Sequence, residues 1–296
     1  RTRTKSIQIK IKSSGSSGST LIMSKQGLRF ARENPHIVEA SQAFIQKFDS
    51  VPDPVVKVAS LAENEDAQIA WVLLGSVLYH GLTYLQVLSV LEALFKEFPN
   101  KKLWETPVPK ASELKSVIKK ALNNESWALL EHAPGMFWSV GFFVRRHFPL
   151  KTWLDSRNEE ELWRDLGEIY FMGKKSIRPK VISAILRIKN KAPLGLGLSV
   201  HEGKAISFFP ISMGSRRFMG FMGPRKDGDF ADWTPEKKLV EVNDWYKIVS
   251  PKAREKAAHG FSFFLEPGQN DFLCQEIMKS CEACPLYCYC SYGRKS

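Results

Sequence analysis

Along EDAQIAWVLLGSVLYHG (65–81) and TYLQVLSVLEALFKEFP (83–99), apolar residues recur three and four positions apart over stretches too long for a strand, which predicts helices. Asn100 and the prolines at 107 and 109 end that pattern. The same period predicts helices over 111–121, 124–132, 136–148, 159–171, 176–190, 235–249 and 252–265. NEEELWRDL opens on Asn158, a cap candidate, followed by three acids that suit the positive end of a helix dipole. Between Lys191 and Ser215 the chain turns Gly/Pro-rich, in LGLGLS and FFPISMGS, and loops or tight hairpins are expected. No segment alternates as a half-buried strand would, so the expected class is all-α. The eight Trp and nineteen Phe are read chiefly as core.

At 296 residues, with 44% hydrophobic and 25% charged side chains, the chain has the composition of an ordered protein with a substantial core. The apolar runs Ala70–Tyr79 and Met136–Val144 stop at His80 and Arg145, too short to cross a bilayer, and a soluble protein is expected. Residues 1–23 carry five cations, no acid and a Ser/Gly tract, and read as a tag, linker or disordered basic tail, with Met23 a native start. Charge is unevenly spread. Residues 171–226 hold twelve Lys and Arg against a single acid, Glu202, which predicts a polyanionic partner, most simply nucleic-acid phosphates.

All five cysteines fall in CQEIMKSCEACPLYCYC, 274–290. An odd count crowded into one segment makes a poor disulfide framework, and metal ligation is the better reading. Structural zinc sites commonly use two close ligand pairs, whereas only one Cys-x-x-Cys occurs here. Four thiolates, Cys274, Cys281, Cys284 and Cys290, suffice for a 4Fe-4S cube, with zinc the alternative metal. Cys288 leaves a C-x2-C-x3-C set open as well. The six histidines show no metal-ligand spacing, and no GxxxxGK[ST] phosphate cradle is present.

The spacing C-x6-C-x2-C-x5-C at the end of a helical chain resembles the cluster loop of endonuclease III and the adenine glycosylases, in the helix-hairpin-helix-GPD superfamily of DNA glycosylases. That resemblance implies a two-lobed all-α fold with a helix-hairpin-helix and a C-terminal iron-sulfur cluster loop that is mainly structural and lies near the DNA backbone. Between Cys274 and Cys281 the only cation is Lys279, with Arg294 and Lys295 following the loop. The expected organisation is a 1–23 tail, an N-terminal helix in 24–60 packing on the second lobe, a helical bundle lobe over 61–170, a basic hairpin-containing DNA-binding lobe over 171–273 and the cluster loop at 274–296.

A DNA-binding hairpin needs a short Gly-containing turn whose following helix offers backbone N–H groups to a phosphate. LGEIYFMGKKSIRPKVISAILRIK (166–189) fits, with Gly173 in the turn, Ser176 as cap, Pro179 in the first turn and Lys174, Lys175 and Arg178 around the phosphate. PISMGSRRF is an alternative, with Gly214 in the turn and Arg216 and Arg217 at the helix start; LGLGLS (194–199) is a weaker echo. Bifunctional members of the superfamily attack the sugar C1′ with a Lys at the second hairpin helix. The resemblance of GKKSIRPKVISAILRIKN to that helix in archaeal 8-oxoguanine glycosylases implies that Lys180 is the nucleophile, its pKa lowered by neighbouring cations. FFPISMGSRRFMGFMG (208–223) is similar to the stretch holding the family's PVDTH, and the Asp position falls on Ser212, which supplies no fixed negative charge. Glu202 is then the candidate carboxylate, with Asp227, Asp229 and Asp232 in a following loop.

The resemblance implies a DNA base-excision enzyme that flips a nucleotide out of double-stranded DNA, cleaves its N-glycosidic bond and uses Lys180 as an AP lyase. The alternatives are a catalytically degenerate iron-sulfur DNA-binding protein of the same fold and a zinc-stabilised interaction protein. A reducing intracellular compartment, cytoplasm, nucleoid or nucleus, is expected.

Overall fold

A computed structural model describes residues 25–98, 104, 108–173, 178–201, 208–222 and 234–290. Among the described residues the secondary structure is helical, with isolated bridges Asn158–His201 and Pro267–Phe272 in place of strands. No helix there is long and apolar enough to cross a membrane.

The first hydrophobic core is built from α3 (Pro54–Ala59), α4 (Glu65–Leu78), α5 (Tyr84–Glu97), α6 (Ala111–Ala121), α7 (Ala133–His147), α8 (Leu150–Asp155), α9 (Glu159–Leu166) and α10 (Pro179–Lys189). Helix α4 is apolar on every side, and α3, α5, α7, α8 and α10 all pack around it. Gly75 makes the closest crossing possible, since a Cβ there would stand 2.5 Å from Val55 Cγ1. The starts of these helices are chemically specified: Asn64, Thr83 and Asn158 each accept a backbone N–H as N-cap, and Thr83 and Asn158 form capping boxes with Gln86 and Glu161.

The second core is discontinuous in sequence. It joins α1 (Lys25–Glu33) and α2 (Pro35–Gln46) to α11 (Met213–Phe221), α12 (Pro235–Val249), α13 (Arg254–Ser262) and α14 (Leu273–Met278). Aromatic rings fill it: Phe48 stacks on Phe263 at 4.6 Å and Phe218 meets Phe261 at 4.4 Å. Each such pair contributes about 0.5–1.5 kcal/mol beyond the burial of its area. Glycines set the spacing of the central helix, because a Cβ on Gly260 would stand 2.8 Å from Ile45 Cα and one on Gly214 2.3 Å from the Phe261 carbonyl.

The structure differs from the expected elements at defined points. Residues 124–132 are turns ending in a short 3₁₀ segment, Leu130–His132, because Asn123 and Asn124 adopt positive φ and the Trp127 indole is anchored on the His80 carbonyl at 2.9 Å. Helix α9 stops at Leu166, five residues early. Helix α11 begins at Met213, three residues ahead of the Arg216 start expected for the alternative hairpin, and takes in the end of the expected loop. Helix α10, placed by sequence in the second lobe, contributes Val181, Ala184, Ile185 and Ile188 to the first core.

Candidate functional site

Cys274 sits in α14, and the chain then leaves the helix through Lys279, whose φ of 69° reverses its direction. Turns follow, with Cys284 N–H on the Cys281 carbonyl at 3.0 Å and Cys290 N–H on the Leu286 carbonyl at 2.9 Å. Leu286 is fully buried in the second core and pins this loop, while Tyr289 lies 5.3 Å from the His36 ring of α2. The result brings Cys274, Cys281, Cys284 and Cys290 to the wall of one cavity of about 130 Å³, lined as well by Phe44, Phe264 and Met278. Cys288 does not line it and is exposed.

Burial pushes the Cys274 thiol up to about 11 and the Cys284 thiol up to about 12; each is raised further by the other cysteines of the cavity. Main-chain hydrogen bonds at Leu265 and Gln275 pull Cys274 partly back. Gln275 Nε2 donates to Cys281 Sγ at 2.8 Å. Sequence reasoning did not single out Gln275; its position directly after Cys274 was the available signal.

At the other candidate centre, α10 begins with Pro179 in its first turn, and Lys180 follows. The Lys180 ammonium donates to the Val77 carbonyl at 2.9 Å and lies over the Phe171 ring at 5.6 Å. Burial lowers its pKa to about 8. The exposed His80 is close enough for Lys180 to depress it further, after burial. Gly173 has φ +97°, the left-handed turn for which glycine is suited. Lys174, Lys175 and Ser176 lie outside the described residues, as do Glu202, Asp227, Asp229, Asp232, Arg294 and Lys295.

Arg178 does not stand free at the helix start. Its guanidinium stacks on Trp163 at 4.1 Å and donates to the Trp163 carbonyl at 2.9 Å, in a space that Gly167 leaves open. It is a packing residue here, because its own backbone, at φ 39°, turns the side chain back onto α9.

Gly214 is inside α11 and buried against α13, not in an exposed turn. Arg216 is exposed. Arg217 donates to the Leu265 carbonyl and pairs with Glu266 at 3.5 Å. Ser212 caps α11, accepting from Ser215 N–H at 3.0 Å, and a hydroxyl chain continues through Ser215 to Tyr246 at 2.6 Å. The LGLGLS segment caps α10 instead of forming a hairpin of its own: Leu196 N–H reaches the Arg187 carbonyl and Leu198 N–H the Ile188 carbonyl.

The four cysteines thus gather at one place and Lys180 stands at another. No family model, curated protein or solved structure matches the chain.

Proposed function

We propose that this protein is an iron-sulfur DNA base-excision enzyme in which Lys180 is the amine nucleophile. The observation that carries this reading is the selection of Cys274, Cys281, Cys284 and Cys290, and not Cys288, around a single cavity. A cavity lined by four thiols supports a polynuclear cluster, whose irons each take one cysteine. When bound, the cluster would cross-link α14 to the terminal loop, and Gln275 would stabilise the Cys281 sulfur as a thiolate.

Lys180 supports the catalytic part. An amine held near pKa 8 is neutral in a useful fraction at physiological pH. Its lone pair forms a bond to C1′ as the glycosidic bond breaks, and the base leaves with the electron pair of the broken bond and takes up a proton from the attached amine. Ring opening then gives an iminium, which acidifies the C2′ hydrogen for strand elimination. The amine sits over Phe171 and belongs to the charge-rich sequence 171–226.

Ser212 favours a second reading, a DNA-binding protein of the same kind without base release. Its hydroxyl is committed to capping α11 and it bears no charge for an oxocarbenium ion.

Borohydride treatment of the protein with abasic-site DNA tests both. A covalent adduct that disappears in Lys180→Ala supports the enzyme, while salt-sensitive binding with neither adduct nor base release supports the binder. Protein purified without oxygen is expected to be brown and to contain iron and acid-labile sulfide. A colourless preparation containing zinc would end the cluster reading.

A further inference from the structure

One outward face of α7 carries Gly135, Trp138, Ser139, Phe142, Arg145 and Arg146, spaced three and four apart. Trp138 is 41% and Phe142 63% exposed, an unusual state for large rings. The chain following α9 lays Tyr170, itself 50% exposed, on this face: its ring would stand 3.5 Å from a Cβ at Gly135, and its N–H donates to Ser139 Oγ at 2.7 Å. Tyr170 meets Phe171 edge-to-face at 4.3 Å, and Phe171 lies under the Lys180 ammonium. Phe171 has φ 69°, a conformation that costs an aromatic residue about 1–2 kcal/mol and that collects at binding sites.

We propose that this aromatic face binds the unpaired bases of single-stranded or locally opened DNA and leads the strand to Lys180. The inference rests on the DNA-directed reading above and adds the form of DNA that is held. Its apolar groups are rings and not aliphatic chains, which suits base stacking over a protein helix. The same face continues into two exposed arginines one turn further on, of which Arg145 also donates to the Trp104 carbonyl at 2.9 Å. Arg146 pairs with Glu168 at 3.1 Å, both partners more than half exposed, so a phosphate exchanges for that carboxylate at little cost. Rings followed by guanidinium groups match the alternation of bases and phosphates along a strand.

The test uses the full chain and one oligodeoxynucleotide containing 2-aminopurine, single-stranded or paired to its complement. Wild-type protein is expected to quench the single-stranded probe. Tyr170→Leu and Phe142→Ser should each weaken single-strand binding roughly 5- to 100-fold and leave paired-duplex binding unchanged. Tyr170→Phe should keep it. The side chains at 142 and 170 are exposed, so these variants leave both cores intact.

Wild-type affinity in Tyr170→Leu, or absence of quenching by the parent protein, would overturn the proposal. So would a change in sedimentation of Phe142→Ser without a change in oligonucleotide affinity, which makes the face a contact between copies of this chain. Stacking that survives while borohydride trapping fails leaves this inference standing and removes the lyase reading. Trapping without stacking does the reverse.

Discussion

At the scale of single residues, five thiols within seventeen positions divide into four that face a cavity and one that faces water. Cys288→Ser should therefore keep the full iron content, whereas Cys290→Ser or Cys284→Ser should lose most of it, as read by iron analysis of protein prepared without oxygen. Lys180 is the second residue whose surroundings decide its behaviour. Its folded pKa lies below the ordinary lysine value of 10.5, so the native state favours the neutral amine. Adduct formation should rise with pH and level off above about 8. The same burial weakens the fold below pH 8, where the charged form is enclosed, and the penalty is relieved as pH rises from there toward 10.5. Lys180→Met should stabilise the protein at pH 7 by about 1–2 kcal/mol in denaturant titration while abolishing the adduct.

At the scale of elements, the crossing of α11 over α13 rests on the missing side chain of Gly214. Gly214→Ala must push a methyl group into the Phe261 and Ser262 carbonyls, and a loss of about 1–3 kcal/mol in thermal or denaturant unfolding is expected. This helix also shows where sequence reasoning reaches its limit. The long apolar periods of α4, α5 and α12 were legible because burial of a continuous stripe is written into the order of residues. Helix α11 was legible only as the helix start of the alternative hairpin at Arg216, since Pro210, Gly214 and Gly220 give the stretch the local composition of a loop, and its support comes from α13 and the Ser212 cap. The converse error at 124–132 has the same origin: two asparagines in left-handed conformation and an indole held by a carbonyl 47 residues away outweigh the local period. Which four cysteines share one cavity could be read from their spacing. The setting of Lys180 could not, because it is made by Val77, 103 residues away. Nor could the inward turn of Arg178, which depends on the space over Gly167 and on Trp163.

At the scale of the whole molecule, the chain passes from the second core to the first at Val51–Asp53, and three successive residues are held there. His259 Nε2 bonds the Val51 carbonyl at 2.7 Å, Tyr84 OH donates to the Pro52 carbonyl at 2.8 Å, and Arg187 grips the Asp53 carboxylate with two bonds of 2.9 and 3.0 Å. Asp53 also caps α3, so one carboxylate links a helix start, α10 and the passage between cores. Arg187→Met would leave this nearly enclosed charge without its partner and should cost about 3–5 kcal/mol in denaturant unfolding. Burial holds His259 below its ordinary value of 6.5, so its neutral form is the native one. Stability should decline as pH falls through 6.5, where only the unfolded chain takes up the proton, and His259→Gln should flatten that part of the pH profile.

The discontinuity of the second core bears on how the protein is made. A ribosome delivers α1 and α2 before the helices of the first core, yet α11, α12 and α13, which cover their aromatic faces, emerge after it. The first core can close while translation is still under way, leaving Phe44 and Phe48 waiting in water for Phe261 and Phe263. The newborn chain should therefore be most prone to aggregate after α10 has emerged and before α13 has, a window that pulse-labelling of ribosome-bound chains would show.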